Sequence, residues 1–143
     1  MSGLRRVGID PAGNKFRRYY TDDIALVPDF FSVEAFHRSA TERARIVTSV
    51  AMFYDLEDPI GFAQEIEQVL ASDGIWHFEQ SYMPSILRMT SYDTVCHEHL
   101  EYYSLGVVKH ILDAAGMRPL DVKMNAVNGG SFAVTAQTER NSW

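Results

Sequence analysis

A chain of 143 residues with 46% hydrophobic and 22% charged residues has the length and composition of a single globular domain, not of a disordered segment. Its formal net charge of −6 argues against a broad nucleic-acid face, which needs a basic surface, but leaves room for a small anion held by local arginines. No apolar run is long enough to cross a bilayer, no secretory leader is legible at the start, and the lone Cys96 permits neither a disulfide framework nor a cysteine zinc site; a reducing cytoplasm is the expected location.

In chain order, Arg6 to Asp10 reads as a short buried strand ending in an acid. Pro11 to Asn14 is a turn, and 14–20 is a short helix at best. Ile24 to Val27 is a second strand, punctuated by Pro28 and Asp29. Ser32 is placed to cap a helix over Val33–Arg43, with Glu34 in the first turn where the helix dipole favours an anion. Arg45 to Met52 is β-branched and nearly unbroken, as suits a parallel strand covered on both faces. Asp58-Pro59 has the N-cap-then-N1 order of a helix start. Ile60, Ala63, Ile66, Val69 and Leu70 make that helix's apolar stripe, and Asp73-Gly74 is expected to end it. Ile75 to Glu79 is a further strand. An irregular segment with Pro84 and Arg88 leads into a polar loop over Tyr92–Tyr103. Leu105, Val108, Ile111, Leu112 and Ala115 mark a helix stopped by Gly116, with Ser104 at its N-cap position. Pro119–Met124 and Ser131–Gln137 are strands joined through Asn128-Gly129-Gly130, which has hairpin chemistry.

Strand and helix alternate before a closing hairpin. The expected fold is therefore α/β, an incomplete Rossmann-like sheet that is mostly parallel with a terminal antiparallel hairpin. Ligands of such sheets bind beyond the carboxyl ends of the strands, where Asp10, Asp29, Met52 and Glu79 all fall.

The chemistry concentrates at His97-Glu98-His99. A metal site would need further ligands, and His37, His77 and His110 lack ligand spacing, so no metal is expected. A base oriented by the neighbouring carboxylate and a structural pair bonded to backbone carbonyls both remain open. Asp10 has the position of an acid that accepts ribose hydroxyls, or of a plain turn aspartate. Asp29-Phe30 suits an adenine, or a helix entry with a core phenylalanine. Cys96 reads as a small packing residue with a neutral thiol. Tyr102 and Tyr103 read as amphipathic packing at a pocket wall. Phe30-Phe31 and Met52-Phe53-Tyr54 read as core.

Taken together, Gly8-Ile9-Asp10-Pro11, Asp29-Phe30-Phe31-Ser32, Phe78-Glu79-Gln80-Ser81-Tyr82, the run Tyr92-Asp93-Thr94-Val95-Cys96-His97-Glu98-His99-Leu100-Glu101-Tyr102-Tyr103-Ser104-Leu105, and Asn128-Gly129-Gly130-Ser131-Phe132 resemble the S-adenosylmethionine-dependent sugar C-methyltransferases. These act on nucleotide-linked keto-deoxysugars. The resemblance implies a class I methyltransferase core over 1–143, with S-adenosylmethionine as cofactor. It also implies Asp10, Asp29, Phe30, Ala51 and Met52 on the cofactor side, and Glu79, Tyr82 and Tyr102 on the sugar side. His99 takes the place of the catalytic base, with Glu98 beside it. The family's zinc module, glycine-rich loop and second large domain are not matched, and Cys96 stands where the family often has a catalytic tyrosine. The strand that carries the glycine-rich loop normally lies between the Arg6–Asp10 and Arg45–Met52 strands. Those two are therefore expected to pair directly, or a second copy of the chain is expected to cover the gap. The alternative to an enzyme is a non-catalytic remnant that binds a nucleotide or serves assembly.

Overall fold

The computed structural model describes residues 3–139. The chain divides into two compact units, one ending at Arg43 and the other beginning at Ala44. Among the described residues no helix is long and apolar enough to cross a membrane.

The first unit is a two-stranded parallel sheet, β1 (Arg6–Ile9) on β2 (Ile24–Val27), followed by the short helix α1 (Val33–His37). Ser32 caps α1 as its position suggested, accepting the Ala35 N–H at 3.0 Å. The helix is much shorter than the sequence pattern implies. Beyond His37 the amides of Ser39 and Ala40 both turn to the Phe36 carbonyl, so the turn tightens and stops. The Ser39 carbonyl instead accepts the Arg5 guanidinium.

The second unit holds a four-stranded sheet in the order β3 (Ala44–Val50), β4 (Leu70–Ser81), β6 (Ser131–Thr138), β5 (Met117–Asn125). β3 and β4 are parallel, while β6 runs antiparallel to both β4 and β5. Helix α2 (Pro59–Val69) starts where Asp58-Pro59 places it, the Asp58 carboxylate accepting the Gly61 N–H at 2.9 Å. Its end differs from expectation. The chain passes at Leu70 straight into β4, and Asp73-Gly74 lies in a bulge of that strand, between the Ala44–Leu70 and Ile46–Ile75 pairs. A Cβ at Gly74 would meet the Ala44 carbonyl oxygen at 2.8 Å, so the close backbone approach, not a helix stop, is what demands glycine there. The segment around Pro84 is also more ordered than expected. It forms α3 (Met83–Met89), with proline in the first turn and Thr90 in the left-handed region at its end. Helix α4 (Leu105–Ala114) matches its apolar pattern and buries Val108, Ile111 and Leu112.

Among the described residues β1 forms its ladder with β2 within the first unit, and β3 forms its ladder with β4 within the second.

An aromatic cluster fixes the core of the second unit. Phe53 is 1% exposed and packs against Trp76, Phe78 and Tyr103 with ring centroids 5.4–5.5 Å apart. Trp76 and Phe78 stack at 4.2 Å on the buried face of β4. Such offset and tilted ring pairs add to the stabilisation that area burial alone provides.

Candidate active site

At the carboxyl ends of β3 and β4 the second unit has a small cavity of about 50 Å³, lined by Val50, Ala51, Tyr54, Glu79, Gln80 and Ser81, with Val127, Asn128 and Ser131 from the β5–β6 connection. Its walls follow from local chain geometry. Ala51 leaves β3 with φ 53°, a left-handed conformation that costs an alanine roughly 1–2 kcal/mol. Its amide still bonds to the Glu79 carbonyl at 2.8 Å. The kink sends the chain into a 3₁₀ turn over Phe53–Asp55. Phe53 plunges into the core, and Tyr54 is left on the cavity wall.

The opposite wall is pinned just as closely. The Asn125 side chain donates to Glu79 Oε1 at 2.9 Å and accepts the Val127 N–H at 2.9 Å, and the Ser131 hydroxyl donates to the Val127 carbonyl. Gly130, at φ 129°, lies so close to α3 that a Cβ there would meet Ser85 Cβ at 2.5 Å.

The His97–His99 loop is tied to this wall. The Tyr54 carbonyl accepts both the Leu100 and Glu101 N–H groups, at 3.0 and 3.1 Å. The ring of His99 lies 4.3 Å from that of Tyr54, and Tyr102 follows edge-on to His99 at 6.3 Å. Asp55, next along the chain, feels two of the three motif residues, Glu98 and His99. Partial burial holds its carboxyl above the usual range, with Glu98 adding to the rise and His99 opposing it. Burial, and then the Asp55 charge, likewise raise the Tyr54 phenol. Burial pushes the Tyr103 hydroxyl up to about 12.

For Asp55 the sign of the linkage is definite. Its folded pKa lies above the unfolded value, so stability from this group is present at low pH and lost as pH rises through the folded pKa. Asp55→Asn is therefore expected to flatten the fall in melting temperature as pH is raised above the ordinary aspartate range. Thermal unfolding at a series of pH values checks this, and an unchanged profile would show that Asp55 feels no burial.

The whole chain can be compared with known proteins. No protein-family model matches it. It is 32% identical over 137 residues to C-methyltransferase NovU from Streptomyces niveus, a match that takes in 94% of this chain and 33% of NovU. CalO1, a methyltransferase in calicheamicin biosynthesis whose crystal structure is the SAH-bound form, matches with a TM-score of 0.70 at 13% identity, over 95% of this chain and 42% of CalO1. The N-methyltransferase NodS from Bradyrhizobium japonicum matches with a TM-score of 0.61 at 15% identity, over 94% of this chain and 73% of NodS. The chain has the class I methyltransferase fold. It spans about a third of the length of NovU. A pericyclic reaction enzyme matches as well, with a TM-score of 0.72 at 11% identity, over 96% of this chain and 37% of that one, so a class I methyltransferase fold does not by itself fix the reaction.

Within this methyltransferase fold the residues singled out from the sequence are placed unevenly. Ala51 and Glu79 line the cavity; the His99 ring packs tilted against the ring of Tyr54, itself a lining residue, and Tyr102 lies edge-on to His99. Met52 is half-buried at the start of the 3₁₀ turn and is not a lining residue. Tyr82 packs edge-on against Phe132 at 5.1 Å. Glu98 is exposed. Cys96 is exposed too, so it is not the packing residue that its size suggested; the irregular loop carries it outward. Among the described residues no three metal-binding side chains converge.

Asp10, Asp29 and Phe30 belong to the first unit. Asp10 accepts the Ala12 N–H at 2.8 Å and the Tyr20 hydroxyl at 3.0 Å. Arg38 binds the Asp29 carboxylate and, with the Phe30 amide, holds it below the usual range. Phe30 is 75% exposed and is not the core residue its neighbours suggested. Tyr54, Asp55 and Gln80 were missed as site residues. Tyr54 was hidden inside an aromatic run that reads as core, whereas Gln80 carried a signal, a polar side chain at an inward position of an alternating strand.

Proposed function

We propose that the protein transfers a methyl group from S-adenosylmethionine to a carbon of a nucleotide-linked keto-deoxysugar, with His99 as the base that generates an enolate. The observation that carries this reading is the packing of the His99 ring on Tyr54, the aromatic wall of the cavity at the strand ends. The likeness to NovU supports the reaction class.

S-adenosylmethionine brings an electrophilic methyl group on a sulfonium. The residues proposed to hold it are chemically suited. Asp10 offers about four lone-pair sites, and Ala12 and Tyr20 occupy two of them, which leaves capacity for a ribose diol. The exposed ring of Phe30 beside an ionised Asp29 offers a face and an acceptor to adenine. Ala51 and Met52 complete the proposed donor side.

A ketone acidifies the neighbouring C–H bond. A neutral His99 imidazole takes that proton, and the electron pair moves onto the ketone oxygen. Hydrogen-bond donors near that oxygen would lower the barrier; S-adenosylmethionine, when bound, would supply the methyl group to the carbanion carbon, the S–CH3 bonding pair staying on sulfur as S-adenosylhomocysteine leaves, chemistry governed by positioning. Glu98, between the two histidines of the motif, is proposed to act beside the base. Glu79, Tyr82 and Tyr102 are proposed on the sugar side, and a second copy of the chain is the proposed partner.

In deuterium oxide with S-adenosylhomocysteine in place of the donor, the protein is expected to exchange the proton next to the ketone of such a sugar nucleotide for deuterium, read by NMR. Retention of that proton, together with no calorimetric binding of S-adenosylhomocysteine, would instead favour the non-catalytic remnant.

A further inference from the structure

The side chain of Gln80 has no partner. It is 2% exposed, and neither its Nε2 nor its Oε1 meets a protein hydrogen-bonding group. Gln80 shares the buried face of β4 with Trp76 and Phe78, where an apolar residue of the same shape would cost nothing. Buried amides are almost always hydrogen-bonded, so a doubly unmet one in a folded protein calls for an explanation. Tyr103 Oη and Arg118 Nε are also unmet, but neither residue lines the cavity. Gln80 does, between Glu79 and Ser81, with Ser131 also in the lining.

We infer that the Gln80 carboxamide is a substrate-binding group, which takes a ligand presenting a carbonyl oxygen and a hydroxyl on adjacent carbons. The chemistry follows from the amide itself. Its Nε2 donates and its Oε1 accepts in one plane, which complements an α-hydroxy ketone and matches neither a purely apolar nor a purely anionic group. This inference rests on the proposed keto-sugar substrate and names the residue that reads it. Tyr54 relates the two, since it lines the cavity and carries His99 on its ring.

The test separates binding from chemistry. Hydroxyacetone is the probe, and the full chain is compared with Gln80→Met, which keeps the shape and removes both polar atoms. In ¹H–¹⁵N spectra hydroxyacetone is expected to shift the Gln80 side-chain NH₂ signals saturably. In Gln80→Met the midpoint for the Ser81 and Ser131 amide shifts should rise about tenfold or more, as two hydrogen bonds are lost. The melting temperature of Gln80→Met should stay level or rise, because no protein partner is orphaned. A melting temperature several degrees lower would make the amide structural and overturn the inference, as would side-chain signals that do not respond to the probe. Neither readout needs methyl transfer, so failure of the enolate reading would leave both intact.

Discussion

Replacing His99 by alanine is expected to lower methyl transfer and solvent-deuterium exchange together, by about 10²–10⁴-fold, the usual worth of a positioned general base. Binding of S-adenosylhomocysteine should stay unchanged. The geometry gives this prediction its force. The loop backbone is fixed independently of the imidazole, because the Leu100 and Glu101 amides bond to the Tyr54 carbonyl. Removing the ring therefore deletes the base and its aromatic contacts with Tyr54 and Tyr102 without freeing the segment that bears it. Calorimetry and the exchange assay on the same preparation decide the matter. Equal loss of cofactor affinity and exchange would make His99 a structural residue, and the proposed mechanism would lose its base.

Phe53→Ala should be the most damaging change in the core, at about 3–5 kcal/mol. The ring is almost completely buried and touches Phe62, Trp76, Phe78 and Tyr103, which belong to α2, to β4 and to the residues just before α4. No neighbour can collapse into the space, since Trp76 and Phe78 are already stacked. The effect should also reach the site. Phe53 precedes Tyr54 and Asp55 in the same 3₁₀ turn, so a void beneath the turn loosens the cavity wall. Urea unfolding should show the full loss, with Phe53→Leu costing clearly less. A change below about 1 kcal/mol would mean that the cluster repacks freely and that the turn is not anchored through it.

Local signals in the sequence were sufficient where the chemistry is local. Ser32 and Asp58 cap the helices they precede, and the β-branched runs Ile24–Val27 and Ala44–Val50 are strands. The closing hairpin forms around its Asn-Gly-Gly connection. Asp73-Gly74 was misleading because a glycine needed for close backbone approach looks the same as one needed to end a helix; only the neighbouring strand distinguishes them. Helix α3 was missed because a seven-residue helix has too few turns to display a period. The site divides in the same way. The His-Glu-His block stood out by composition, but its relation to Tyr54 depends on a left-handed alanine at position 51, and no residue preference announces that conformation.

β3 has a further consequence for handling the protein. It is the terminal strand of its sheet, and Ile46 and Val50 on it are 65% and 62% exposed. A β-branched border strand of this kind is a template on which other chains can stack through backbone hydrogen bonds, and Arg45 is the only charge within it. Precipitation on concentration is the behaviour this strand favours, and a lysine in place of Ile46 is the substitution that would counter it.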